Sequence, residues 1–179
     1  MIMSRVLGAC VVAALGGALG TGCCYDDGHP QNGLCDIDGA VSVPNEGWTH
    51  VQNEDQLVYQ HNPPASGPHF PIWASWGVHT DVVDRGNWVH NLEHGGIVLL
   101  IGSNATDGEK KLINDAYNAI PDDPECHHRR AVVTEDPKLD AHMAVVAADV
   151  VLPAAELTVD KIKAFAVGCR NHGPEDICY

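Results

Sequence analysis

Four prolines, at positions 63, 64, 68 and 71, fall between His61 and Trp76. Each fixes its own φ and lacks a backbone N–H, so neither a continuous helix nor a central strand can run through that stretch. It must be a loop, and a stiff one. Such a loop is suited to presenting side chains, and this one carries His69 behind Ser66-Gly67-Pro68. A short way on, His90-Asn91-Leu92-Glu93-His94-Gly95-Gly96 adds two imidazoles and a carboxylate. Imidazole and carboxylate are ligand types for a transition metal, and Pro and Gly hold them on turns that do not easily relax.

The elements around this loop define the fold class. Residues 97–101, Ile-Val-Leu-Leu-Ile, are continuous, apolar and rich in β-branched side chains, which reads as a buried central strand. Residues 107–120 follow with Leu112, Ile113, Ala116, Tyr117 and Ile120 at helical spacing; Thr106 or Asp107 can cap the start, and Pro121 ends it. Residues 130–134 and 141–147 are two further strands. Thr158 caps a last helix from 159 to about 168, with Ile162, Phe165 and Ala166 on one face. Residues 48–59 are expected to open the ordered domain, with Val51 and 57–59 as strand material. The order strand, helix, strand, strand, helix predicts an α+β domain: a mostly antiparallel sheet with helices on one face and a long Pro/Gly-rich loop. A chain of 179 residues is enough for one domain with a real core.

Residues 1–22 lie outside that domain. Arg5 supplies a positive start, residues 6–19 are apolar with small side chains, and Gly20-Thr21-Gly22-Cys23 follows, the pattern of a signal peptide. The apolar run is shorter than the ~20 residues of a membrane-spanning helix. Cys23 stands where a bacterial lipobox has its lipidated cysteine, although Gly20 occupies the place usually held by Leu. Cys24, not Asp, follows it, which in similar lipoproteins points to the outer membrane or surface. The reading is an exported chain, anchored in the cell envelope by lipid on Cys23, with 23–45 as tether and looped region and 46–179 as the domain. Besides Cys23, five cysteines would remain: 24, 35, 126, 169 and 178. Export permits disulfides, and the first pairings to expect are Cys169–Cys178, and Cys35 with Cys24 or Cys126.

A formal charge of −14 excludes whole classes of partner. Nucleic acid needs clustered Lys and Arg, and only Arg129-Arg130 forms a pair here. Nucleotide-binding glycine loops and the G-x-S-x-G of serine hydrolases are missing from the sequence. No protein partner can be named.

The chemistry is concentrated in the histidines. His90 and His94 share a face in either regular structure, but only a helical turn brings their Cβ atoms to about 6 Å; in a strand, four steps span about 13 Å. Joint ligation therefore requires a turn of helix just before the 97–101 strand, and Gly95-Gly96 would end it. Alternatively both rings hold a tight turn. The string also matches H-x-x-E-H, in which Glu93 would be the general base of a metallohydrolase; the glycines and strand that follow at once favour Glu93 orienting a histidine instead. His50 is a further candidate, whereas His61, His79, His127, His128 and His142 read as surface, loop or packing residues. Trp48, Trp73, Trp76 and Trp88 flank these segments and would wall the core or a dry pocket.

The segments Asn62-Pro63-Pro64-Ala65-Ser66-Gly67-Pro68-His69, then Trp73, Gly77-Val78, and Val89-His90-Asn91-Leu92-Glu93-His94-Gly95-Gly96 resemble the bacterial domain-of-unknown-function family numbered 3105. The similarity runs from about His50 to Asn171, and Arg170-Asn171-His172 and Pro174-Glu175 are similar to that family's final tail. The resemblance implies export or membrane anchoring and supplies no activity. By its motif, His50, His69, His90, Glu93 and His94 are the positions that matter. His79 stands where the family usually has an aromatic residue.

Three functions remain open from the sequence. The first is binding of a zinc or copper ion by His69, His90 and His94, with His50 as a fourth ligand and Glu93 behind them. The second is a metal-dependent hydrolase using Glu93 as base. The third is a non-catalytic envelope protein whose histidines and tryptophans only shape a loop or meet a partner.

Overall fold

Every residue of the 97–101 run is buried, because both faces of the strand it forms are covered. A computed structural model describes residues 37–175 and 177–178; residues 1–22, on which the signal-peptide expectation falls, and Cys23, Cys24 and Cys35 lie outside the described residues. The strands are β1 (Val41–Ser42), β2 (Gly77–Val78), β3 (Ile97–Gly102), β4 (Ala131–Asp136), β5 (Met143–Ala147) and β6 (Val150–Pro153). The helices are α1 (Arg85–Glu93), α2 (Asp107–Ala119) and α3 (Val159–Cys169). The strands form one sheet in the order β1-β6-β5-β3-β4-β2. Pairings β1/β6, β5/β6 and β3/β5 are antiparallel; β3/β4 and β2/β4 are parallel. This is the expected α+β domain with a mostly antiparallel sheet.

Side-chain alternation along β3 sorts the core into two layers. Ile97, Leu99 and Ile101 face α2 and α3, meeting Ile113, Ala116, Ile162 and Phe165. Val98 and Leu100 face the other way, onto Trp88, Val89 and Leu92 of α1 and onto Ala65. The two helices legible in the sequence thus share one face, as expected, and α1 covers the other. The sequence did not announce α1 as a helix, because it is buried almost all round: Gly86 and residues 88–93 are all buried. A helix without a polar side has no periodic stripe to read. Its start is nonetheless marked, since the Asp84 side chain accepts from Gly86 N. Thr106 and Thr158 cap α2 and α3 as predicted.

Several expectations are corrected. Residues 48–59 form no strand: a 3₁₀ turn occupies 54–56, and His50 joins His69 through an isolated parallel bridge. Strand 141–147 begins at Met143 and continues through a two-residue turn into β6. Within 23–45, Val41 and Ser42 pair with Val151 and Val150 and so belong to the sheet. Residues 61–76 contain no helix, and 63–67 are buried. The loop is fastened to the β5–β6 turn, where Asp149 N donates to Ala65 O at 2.9 Å.

The cysteines pair differently from the sequence proposal. Cys126 is bonded to Cys178, which removes Cys169–Cys178 and Cys35–Cys126; Cys169 is also disulfide-bonded. After α3 the chain reverses at Asn171, whose φ is 65°, and returns over the end of α1. That path carries Cys178 away from Cys169 and toward Cys126. The bridge spans 52 residues. Loop-closure entropy then gives a stabilisation of about 4 kcal/mol. Cys178→Ser should lower the unfolding free energy by about that amount in chemical denaturation; an unchanged midpoint would remove the bridge's structural role.

Candidate metal centre

Three segments of the chain meet at Glu93. The isolated bridge is the first joint: Val51 N donates to His69 O at 2.8 Å and His69 N to Thr49 O at 3.0 Å. This pairing sets the His50 and His69 rings side by side, with centroids 4.7 Å apart. The second joint ties the proline loop to α1. Phe70 N donates to Gly86 O at 3.0 Å, and the Asn91 amide clamps Ala74, accepting from its N and donating to its O, both at 2.9 Å. Gly86 permits this approach, because an added Cβ would stand 2.7 Å from the Phe70 ring. Along α1, positions 90, 93 and 94 fall on one face, the one turned to the loop.

The outcome is a compact donor group. One ligand atom from each of His50, His69, His90 and Glu93 lies within 4.8 Å of all the others. Glu93 Oε2 is 3.0 Å from His69 Nε2, 3.6 Å from His90 Nε2 and 3.6 Å from His50 Nε2. Bonds of about 2.1 Å from a tetrahedral ion place neighbouring ligand atoms about 3.4 Å apart, so these spacings suit a single ion. His69, His90 and Glu93 are buried, and His50 is half exposed at the rim. Trp73 presents an edge to His90 and His94, and Trp48 to His69.

Main-chain carbonyls fix which nitrogens face inward. His69 Nδ1–H donates to Gly67 O at 2.9 Å, and His90 Nδ1–H to Phe70 O at 2.6 Å. A carbonyl can only accept, so the proton sits on Nδ1 and each Nε2 is left toward the centre. Burial pushes the His90 pKa down to about 4, against the smaller opposing pull of the Phe70 carbonyl. At neutral pH its Nε2 is therefore a bare lone pair, and no proton has to leave before it ligates. For Glu93, burial alone would raise the pKa; the His69 hydrogen bond and the surrounding imidazoles outweigh it and hold the carboxyl below its usual value. The Glu93 carboxylate oxygen 3.6 Å from the unprotonated His90 Nε2 is an arrangement that a cation relieves. The group can hold a metal ion.

His94 stands beside this group. Its Nε2 is 2.7 Å from His90 Nε2, and it forms a second donor set with Glu93 and Glu175. The helical turn that joint approach of His90 and His94 required is present, as α1. Glu175 went unremarked as a site residue; its only trace in the sequence is the Pro174-Glu175 tail motif, because an 82-residue gap from Glu93 leaves no spacing to interpret. Four other histidines are elsewhere. His61 Nδ1 lies 2.7 Å from Glu46 Oε1, His142 contacts Glu109, His79 Nε2 donates to Ser75 O and His128 Nδ1 to Cys126 O.

A family model described as "Protein of unknown function (DUF3105)" matches residues 50–178. The chain belongs to the DUF3105 family. The matched span of this DUF3105 chain opens on His50 and takes in every donor of both groups. No curated protein and no solved structure matches it. No described helix is long and apolar enough to cross a membrane.

Proposed function

We propose that this DUF3105 protein is an exported, lipid-anchored envelope domain that binds one transition-metal ion, zinc or copper, through His50, His69, His90 and Glu93. The observation carrying the reading is the convergence of three imidazole Nε2 atoms on Glu93 Oε2, two of them oriented by main-chain carbonyls. Three nitrogens and one carboxylate oxygen suit either ion. Glu93 is in this reading a direct ligand rather than a supporting partner. A hydrolase with Glu93 as base is the weaker reading, since a base must be free of the ion and Glu93 Oε2 is the atom on which the rings converge. Export and anchoring rest on residues 1–23, with Cys23 as the lipidated residue and the membrane as the partner it reaches.

The test is metal analysis of the purified protein together with a thermal melt before and after chelation. An ion that binds only the folded state at 100-fold over its dissociation constant stabilises by about 2.7 kcal/mol, and the midpoint should fall when it is removed. A protein that carries no stoichiometric zinc or copper and melts identically with chelator would be the non-catalytic envelope protein instead. Labelling with a radioactive fatty acid, lost on Cys23→Ser, checks the anchor.

A further inference from the structure

We propose that Glu93 is a bridging carboxylate, and that a second metal ion is held against it by His94 and Glu175. The inference rests on the first ion's site and extends it. Ligand atoms of Glu93, His94 and Glu175 lie within 4.8 Å of one another, so the two donor groups share one carboxylate. A carboxylate has two oxygens, and Oε2 is the one turned to His50, His69 and His90. Two-ion sites with ions about 3.5–4 Å apart are built on such shared ligands.

Glu175 is not a stray surface acid. The tail that carries it is sewn to the end of α1: Asn171 N donates to Gly95 O at 2.9 Å, and Glu175 N donates to Glu93 O at 3.0 Å. Gly173 makes the close pass possible, since any Cβ there would collide with the carbonyl oxygens of Leu92 and Glu93. The Cys126–Cys178 bridge closes the tail three residues further on. These restraints hold the Glu175 carboxylate 3.8 Å from His94 Nδ1.

The two positions differ in chemistry. The first has three imidazoles and is enclosed except at its rim, where His50 is half exposed. The second has one imidazole and two carboxylates, and Glu175 is half exposed. An oxygen-rich, open position keeps room for water or for a ligand from solvent. Two divalent ions against two carboxylates leave an excess of two positive charges, which fits an anionic ligand such as a phosphate or a carboxylate.

The experiment titrates chelator-stripped full-length protein with Zn²⁺ and counts bound ions by native mass spectrometry, with a chromophoric competitor for affinity. Wild type should fill to two ions, the second released first as chelator returns. Glu175→Gln and His94→Ala should each fill to one. Glu175→Gln alters an exposed side chain, so a normal melting curve for it guards against misfolding of the His94 variant. Saturation of the wild type at one ion would overturn the bridge and leave the enclosed site standing. Two ions retained by both variants would overturn it as well. A wild type that binds none would instead sink the enclosed site and the bridge together.

Discussion

Replacing His90 by alanine should abolish stoichiometric binding of the enclosed ion, a larger loss than the ~10–100-fold that removing a supporting hydrogen-bond partner costs. His90 is the ligand most prepared for its task. Its Nδ1 proton is committed to the Phe70 carbonyl at 2.6 Å, its Nε2 lies 3.6 Å from Glu93 Oε2, and burial keeps the ring neutral. When an ion arrives, only the 2.7 Å contact of His94 Nε2 with His90 Nε2 has to give way, and the donor group of His50, His69, His90 and Glu93 does not include His94. His90→Gln should lose the ion too, while filling much of the ring's space. The chelator-sensitive part of the melting midpoint should vanish in both variants. Wild-type affinity for zinc and copper in His90→Ala would refute ligation by this residue.

The second large effect concerns stability, and it separates the two layers of the core. Leu92 and Phe165 are both fully buried, Leu92 in the layer under α1 and Phe165 in the layer under α2 and α3. Leu92→Ala should cost about 2–5 kcal/mol and Phe165→Ala about 3–5 kcal/mol in chemical denaturation. Their effects on metal should differ. Leu92 seats the helix that carries His90 and Glu93, so its loss should weaken the ion even where the protein stays folded. Phe165 lies across the sheet and should leave metal stoichiometry unchanged under folding conditions. Equal metal affinity in the two variants would show that the position of α1 is not what organises the donors.

How much was legible follows from how each element is buried. β3 could be read because a strand covered on both faces is apolar at every position, and Ile97 to Ile101 are. α2 could be read because one side faces solvent, so Ile113 and Ala116 stand out against polar neighbours such as Lys111 and Asp115. α1 could not be read from periodicity, but the demand that His90 and His94 approach one another pointed to a helical turn there. The brief strands β1 and β2 carry two residues each and no pattern of their own; they exist because β6 and β4 offer edges to pair with. Glu175 reaches Glu93 only through the reversal at Asn171, a path set by tail packing and the Cys126–Cys178 bridge.

The sequence by itself determined the kind of chemistry open to this protein. Imidazoles and a carboxylate on rigid or helical segments, in a chain with a formal charge of −14, suit a cation. Only the tertiary structure decided which donors meet. A ligand set is defined by distances of a few ångströms between residues such as His50, His69 and Glu93, and those distances come from a bridge, a clamped loop and a buried helix that no local stretch of sequence encodes.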